Sequence, residues 1–137
     1  MEHDTLFLIK PNVTSRSQIG EVLQMVEKNG FSIEMLKMFK MDMATAEEFY
    51  TEHKGKSFYH RLVDFMTSGK TVAAVLHRTN AVPLLRELIG NTDFHQARAG
   101  TIRFLYANSI TRNAVHASDS IESAKREIGI IFPDYSN

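Results

Sequence analysis

The run Asn113-Ala114-Val115-His116-Ala117-Ser118-Asp119-Ser120 concentrates the residue types of a reaction centre. Histidine is the side chain whose ordinary titration range lies close to neutral pH, and its neutral ring nitrogen is a nucleophile. The residues that follow, Ser120 to Glu127, read as a helix start: a Ser/Asp cluster, then Glu122, Ala124 and Ile128. His116 therefore falls on a short apolar strand end, just ahead of a helix N-terminus. The first N–H groups of a helix lack partners and attract anions. A neutral imidazole facing such a site can accept a phosphoryl group. A lone histidine is also commonly just packed, here capped by Ser118 or Asp119, and His116 alone does not decide between the two.

Two further clusters suit the same chemistry. Ile9-Lys10-Pro11-Asn12 puts a lysine at the C-terminal end of an apolar run, where α/β folds place ligands. Strand-end lysines are also often simply solvated. Arg86, Thr92 and Arg103 form the second cluster: arginine forks match phosphate oxygens two at a time, and threonine adds a hydroxyl donor. The same residues also suit an ordinary charged surface.

The elements that must position these groups are legible in outline. Thr5 to Ile9 and Thr71 to Leu76 are short, nearly continuous apolar runs, expected as buried strands, the first stopped by Pro11. Ser15 to Lys28 is expected to be helical, with Ile19, Val22, Leu23 and Val26 on one face and Asn29-Gly30 ending it. Phe31 to Lys40 is read as a strand, its alternation blurred by methionines and Leu36. Helices are expected at Thr45 to Tyr50, Ser57 to Met66 and Asn80 to Ile89, the last closed by Gly90-Asn91. Asn91 to Arg112 lacks periodicity and is expected to be a long functional loop. A strand at Ala114 to Ala117 and the helix at Ser120 to Glu127 complete the chain. This order predicts a ferredoxin-like α/β (α+β) sandwich of βαββαβ type, with helices packed on a four-stranded antiparallel sheet and extra helices between the second and third strands.

Composition sets bounds. The 137 residues fit one domain, 1–137, and 43% hydrophobic content supports a core. Sixteen acidic and sixteen basic residues balance, which argues against nonspecific nucleic-acid or membrane-surface attraction as the main role. There are no cysteines, so disulfides and thiolate metal sites are excluded. No stretch approaches the ~20 apolar residues of a membrane span. Met1-Glu2-His3-Asp4 does not resemble the start of a signal peptide, so a cytoplasmic location is the expectation.

Taken together, the motifs resemble the nucleoside diphosphate kinase family. The resemblance runs from Thr5 to about Pro133 and is most specific at Asn113-Ala114-Val115-His116-Ala117-Ser118-Asp119, which follows the family's N-x-x-H-[GA]-S-D signature. Supporting matches are Leu8-Ile9-Lys10-Pro11, Phe49-Tyr50-Thr51-Glu52-His53, Phe65-Met66-Thr67-Ser68-Gly69, Gly100-Thr101-Ile102-Arg103, and Glu122-Ser123-Ala124 with Glu127-Ile128.

The resemblance implies transfer of the γ-phosphate of a nucleoside triphosphate to nucleoside diphosphates, in two half-reactions through a phosphohistidine on Nδ1 of His116. It implies that Lys10 contacts the phosphates near the transferred group, with the Tyr50 hydroxyl close by. Arg86 and Thr92 would bind the β-phosphate, and Arg103 the β- and γ-phosphates. Asn113 would bond a sugar hydroxyl, Phe58 would stack on the base, and Leu62 and Ile110 would border it. Stacking is indifferent to base identity, so broad nucleoside specificity is expected. Glu127 would accept from the other imidazole nitrogen, and Ser118 would order the same turn. Mg2+ would be carried mainly by the nucleotide phosphates, with Asp119 and Glu52 as candidates for contact through water. The other histidines, His3, His53, His60, His77 and His95, are read as surface or packing residues. The family implies a homo-oligomer, tetramer or hexamer. The end Phe132-Pro133-Asp134-Tyr135-Ser136-Asn137 stops short of long-tailed members, so tail contacts between subunits are expected to be few. A non-catalytic nucleotide-binding or scaffold paralogue on the same fold is the competing reading.

The chain departs from the family pattern mainly around the long nucleotide-site loop. Asn12 replaces an aspartate, Asp93-Phe94 replaces Asn-Pro, and Ala99 and Lys70 each replace a proline. Phe104-Leu105 replaces a small residue and an aspartate. Losing the prolines at Phe94 and Ala99 should leave the loop with more entropy in the unfolded state.

Overall fold

The computed structural model describes residues 1–135. Strands β1 (Glu2–Ile9), β2 (Ser32–Lys40), β3 (Lys70–Thr79) and β4 (Val115–Ala117) form one four-stranded sheet in the order β2-β3-β1-β4, with every neighbouring pair antiparallel. Helices α2 (Ile19–Lys28) and α5 (Ala81–Ile89) cover one face, and α3 (Met43–Phe49), α4 (Tyr59–Met66) and α7 (Ile121–Ile131) cover the other. Successive side chains of a strand point to opposite faces. Phe7, Ile9, Val72, Ala74 and Leu76 thus join α2 and α5, while Leu6, Leu8, Ala73 and Val75 join the other three helices. A sheet covered on both faces selects unbroken apolar strands, which is why β1 and β3 carry runs and not alternation. The architecture is the expected ferredoxin-like sandwich, with α3 and α4 inserted between β2 and β3.

Two expectations need correction. The helix read from Ser15 starts at Ile19. A separate turn, α1 (Pro11–Thr14), precedes it, with proline at its first position, where no N–H is needed. Ser17 then takes φ 58°, a left-handed conformation that no continuous helix accommodates. The long loop is not structureless. Asp93 caps a 3₁₀ turn at Phe94–Gln96, and the Thr101 side chain accepts from the Phe104 N–H at the start of α6 (Ile102–Tyr106). Five residues are too few to show a helical period. In β2, the register against β3 shifts between Ile33 and Met35, a bulge that explains the blurred alternation. β2 is also an edge strand and leaves Met35, Leu36 and Met38 exposed. Ser136 and Asn137, part of the tail expectation, lie outside the described residues.

Candidate active site

His116 lies in β4, opposite Leu8 of β1, where the sheet delivers it to the floor of a cleft of about 460 Å³. Its Nε2–H donates to Glu127 Oε1 at 2.9 Å. The Ser118 hydroxyl donates to the same oxygen at 2.7 Å and accepts from the Leu6 N–H at 3.4 Å. Glu127 is supplied by α7, which Ser120 caps by accepting from the Ser123 N–H. Burial alone would raise the Glu127 carboxyl. The hydrogen bond and charge of His116, the Ser118 hydroxyl and the charge of Arg126 outweigh it and hold the group below the usual carboxylate range. With Nε2 committed, Nδ1 is the ring nitrogen left unshared. Phe49 packs its ring edge-on at 5.0 Å from the imidazole, which restrains the ring plane.

Cations line the same cleft. Lys10 is 5% exposed, at the end of β1. Its Nζ donates to Asn113 Oδ1 at 2.8 Å, and its backbone N–H donates to the Ala114 carbonyl at 2.8 Å. Burial, then the charge of Arg103, lowers the Lys10 ammonium to about 7. Arg103, on α6, donates to the Gly90 and Val115 carbonyls, both at 3.0 Å, and reaches Thr92 Oγ1 at 3.5 Å. Its Nε is buried without a partner, and burial followed by Arg86 lowers the group to about 10. Such packing of like charge, with Glu127 and Asp119 already engaged, leaves the buried cations of the cleft short of an anion. Arg86, on α5, pairs with Asp119 at 2.6 Å, both side chains substantially exposed. Gly90 makes the turn between Arg86 and Thr92 possible: φ is 90°, and a Cβ there would stand 2.6 Å from Thr101 Oγ1. Ala114, between Asn113 and His116, holds φ 78°, a strained value for a residue with a side chain.

Tyr50 is 4% exposed, with a buried hydroxyl that has no partner among the described residues. Burial, then Glu127, pushes the phenol far above its usual range, so it stays a donor. Phe58 is the N-cap residue of α4, and Leu62 stands one turn on, so both reach the cleft that Ile110 also lines.

The structure thus brings Lys10, Tyr50, Phe58, Leu62, Arg86, Thr92, Arg103, Ile110, Asn113, His116 and Glu127 to one cleft, with Glu52 and Asp119 at its wall. Ser118 lies behind, fully buried, and touches the cleft only through Glu127. His53, read as a surface or packing residue, packs between Tyr50 and Phe58 at the cleft. It lines the cleft, stacks on Tyr50 at 6.3 Å and keeps a buried Nδ1 without a partner. Its signal was the spacing of three from Tyr50, one helical turn. A shallower hollow of about 790 Å³ beside Arg61 and Ile110 contains none of the buried cations or His116, so it is not the reaction site. Among the described residues no three His, Cys, Asp or Glu side chains cluster to hold a metal. Glu52 and Asp119 fit a hard divalent cation carried on phosphates, because such an ion, keeping most of its water, needs only a carboxylate or two from the protein.

A ferredoxin-like sandwich with one oriented histidine amid buried cations defines a phosphotransferase class of site. The nucleoside diphosphate kinase family model matches residues 3–136. A nucleoside diphosphate kinase of Saccharolobus solfataricus is 48% identical over 128 residues, covering 93% of each chain. One from Methanocaldococcus jannaschii is 43% identical over 134 residues, covering 98% of this chain and 96% of the relative. Among solved structures, the Aquifex aeolicus nucleoside diphosphate kinase superposes with TM-score 0.94 at 41% identity, covering 96% of both chains. The Halobacterium salinarum nucleoside diphosphate kinase in complex with CDP gives 0.94 at 34% identity, covering 98% of this chain and 90% of that one. The chain belongs to the nucleoside diphosphate kinase family, enzymes of nucleotide phosphate transfer. Among the described residues no helix is long and apolar enough to cross a membrane.

Proposed function

We propose that His116 is the phosphoryl carrier of a ping-pong exchange between nucleoside tri- and diphosphates. The observation that carries this reading is the Nε2–Glu127 hydrogen bond of 2.9 Å, which leaves Nδ1 as the nucleophile of a ring that shares its cleft with Lys10, Arg86 and Arg103. In the first half-reaction the Nδ1 lone pair bonds to the γ-phosphorus, and the bond from phosphorus to the bridging oxygen breaks as the diphosphate leaves. The Nε2 proton stays in place, and the Glu127 carboxylate balances the positive charge of the phosphorylated ring. In the second half-reaction a terminal oxygen of the acceptor diphosphate bonds to phosphorus and the N–P bond breaks. The phosphohistidine keeps transfer potential close to that of the triphosphate, so the exchange runs both ways.

Lys10, Arg86, Thr92, Arg103 and the Tyr50 hydroxyl would hold the phosphates and balance charge on the leaving oxygen. Removing one such preorganised donor costs about 2–4 kcal/mol in the transition state. Asn113 would hold both the Lys10 ammonium and the sugar. Phe58, with Leu62 and Ile110, would clasp the base by its faces, consistent with broad specificity and with the CDP-bound relative. Magnesium, bound on the phosphates, would neutralise their charge, with Asp119 or Glu52 reaching its waters. Assembly as a homo-oligomer in the cytoplasm completes the proposal, and the exposed β2 edge offers one contact surface. The non-catalytic scaffold reading has no observation in its favour, since none of the implied site residues is missing. Initial rates with ATP and a diphosphate acceptor test the scheme. Parallel double-reciprocal lines are expected, and intersecting lines would exclude a free phosphoenzyme.

A further inference from the structure

We infer that Asn12 is a positioning residue for the nucleotide, its side-chain amide fixing the Tyr106–Arg112 wall of the cleft at a set distance from Lys10. This rests on the function proposed above. Asn12 is 5% exposed and follows Lys10 by two residues. Its Nδ2 donates to the Tyr106 carbonyl at 3.2 Å, to Asn108 Oδ1 at 3.0 Å and to the Arg112 carbonyl at 3.1 Å. Its Oδ1 is buried with no partner among the described residues. The opposite amide orientation would turn that oxygen onto three acceptors, so the donor-forward arrangement is the consistent one. Two amide protons are shared among three oxygens, and the position therefore demands a donor. Aspartate, the residue the family pattern leads one to expect there, supplies none when ionised.

The wall held in this way carries Ile110 and Thr111 into the cleft. It then continues into Asn113 and Ala114, both bonded to Lys10. The consecutive residues Lys10-Pro11-Asn12 thus grip both ends of one segment, Lys10 at the phosphate end and Asn12 at the base end. Pro11 fixes φ between them and stiffens the link. Arg16 reinforces the grip, donating to the Asn12 and Tyr106 carbonyls, each at 2.6 Å. A nucleotide must span from the buried cations to Phe58 and Ile110, so its binding depends on that spacing. A phosphoryl donor without a base does not span it.

The test is Asn12→Asp. The KM for nucleoside diphosphates is expected to rise about tenfold while kcat changes less than about threefold, the scale set by buried acceptors losing their donor. Phosphorylation of the protein by phosphoramidate, which has no base, should stay within about twofold of wild type, because only the base wall has moved. The ratio of variant to wild-type KM should fall as pH is lowered toward about 5, where a carboxyl begins to regain its proton. Asn12→Ala adds no charge and should raise KM by a smaller factor, so the inference stays testable if the aspartate variant does not fold. Unchanged KM in either folded variant overturns the inference. So does a phosphoramidate rate that falls in step with the nucleotide rate. Wild-type protein that takes no phosphate from ATP would instead overturn the proposed function; calorimetric nucleotide affinity, weaker in Asn12→Asp, would still judge the positioning role.

Discussion

Lys10 has the most to gain from a nucleotide, and its protonation can be followed directly. Burial and the neighbouring Arg103 lower its ammonium to about 7. Phosphate oxygens beside it favour the charged form and should return it toward the ordinary lysine range. The bound state then holds more protons than the free state at every pH between those limits. At pH 8 a group titrating near 7 is ~0.9 deprotonated, and at pH 6 ~0.1. Nucleotide binding should therefore take up ~0.9 proton at pH 8 and ~0.1 at pH 6, and affinity should fall up to about tenfold per pH unit above 7. Isothermal titration with magnesium-ADP, in paired buffers of different ionisation enthalpy, reads the uptake from the difference in heat. Lys10→Arg serves as the reference, because a guanidinium stays charged throughout and the nucleotide's own protons cancel. Equal buffer-dependent heats for wild type and Lys10→Arg at pH 8 would refute the reasoning.

Glu127→Gln removes the carboxylate that fixes the Nε2–H tautomer, and rapid-quench phosphoenzyme formation should slow by about 10²-fold; an unchanged rate would show that the ring needs no such partner. Away from the cleft, His77 donates to Asp4 at 2.7 Å and faces Glu2 at 3.4 Å, while the Tyr135 hydroxyl donates to the other Asp4 oxygen. The Asp4 hydrogen bond is the main cause that raises His77 above its usual range. The sign follows from that direction: its stabilisation is complete below the unfolded histidine value of about 6.5 and fades as pH rises through the raised folded value. Thermal melts of wild type and His77→Ala should differ most at the acid end of pH 5 to 9, and a pH-independent difference would contradict this.

The sequence was readable where one interaction dominates. β1 and β3 are buried on both faces, so their apolar runs had one interpretation. Val22 and Val26 mark the buried stripe of α2 without help from other elements. The candidate site residues were legible as types in motifs, and they meet because β1, α3, α5, α6 and β4 all end at one cleft. What stayed hidden depends on contacts between distant residues or on local geometry too short to leave a period. Asn12 finds partners far along the chain at Tyr106 to Arg112, and Arg86 pairs with Asp119 on another element. Ser17 breaks a helix through its backbone angle while its neighbours keep a helical pattern. Phe104 and Leu105, each about half exposed, sit on a helix of five residues that no window detects. His53 looked like one of several scattered histidines until the 3₁₀ turn at Thr51–His53 laid its ring on Tyr50.

The most direct test of the central claim is phosphate incorporation from γ-labelled ATP. Wild-type protein should gain a phosphate that is labile in acid and stable in base, that is released by any nucleoside diphosphate, and that is absent from His116→Ala. Wild-type protein that gains no such phosphate, or His116→Ala protein that still does, would contradict the account.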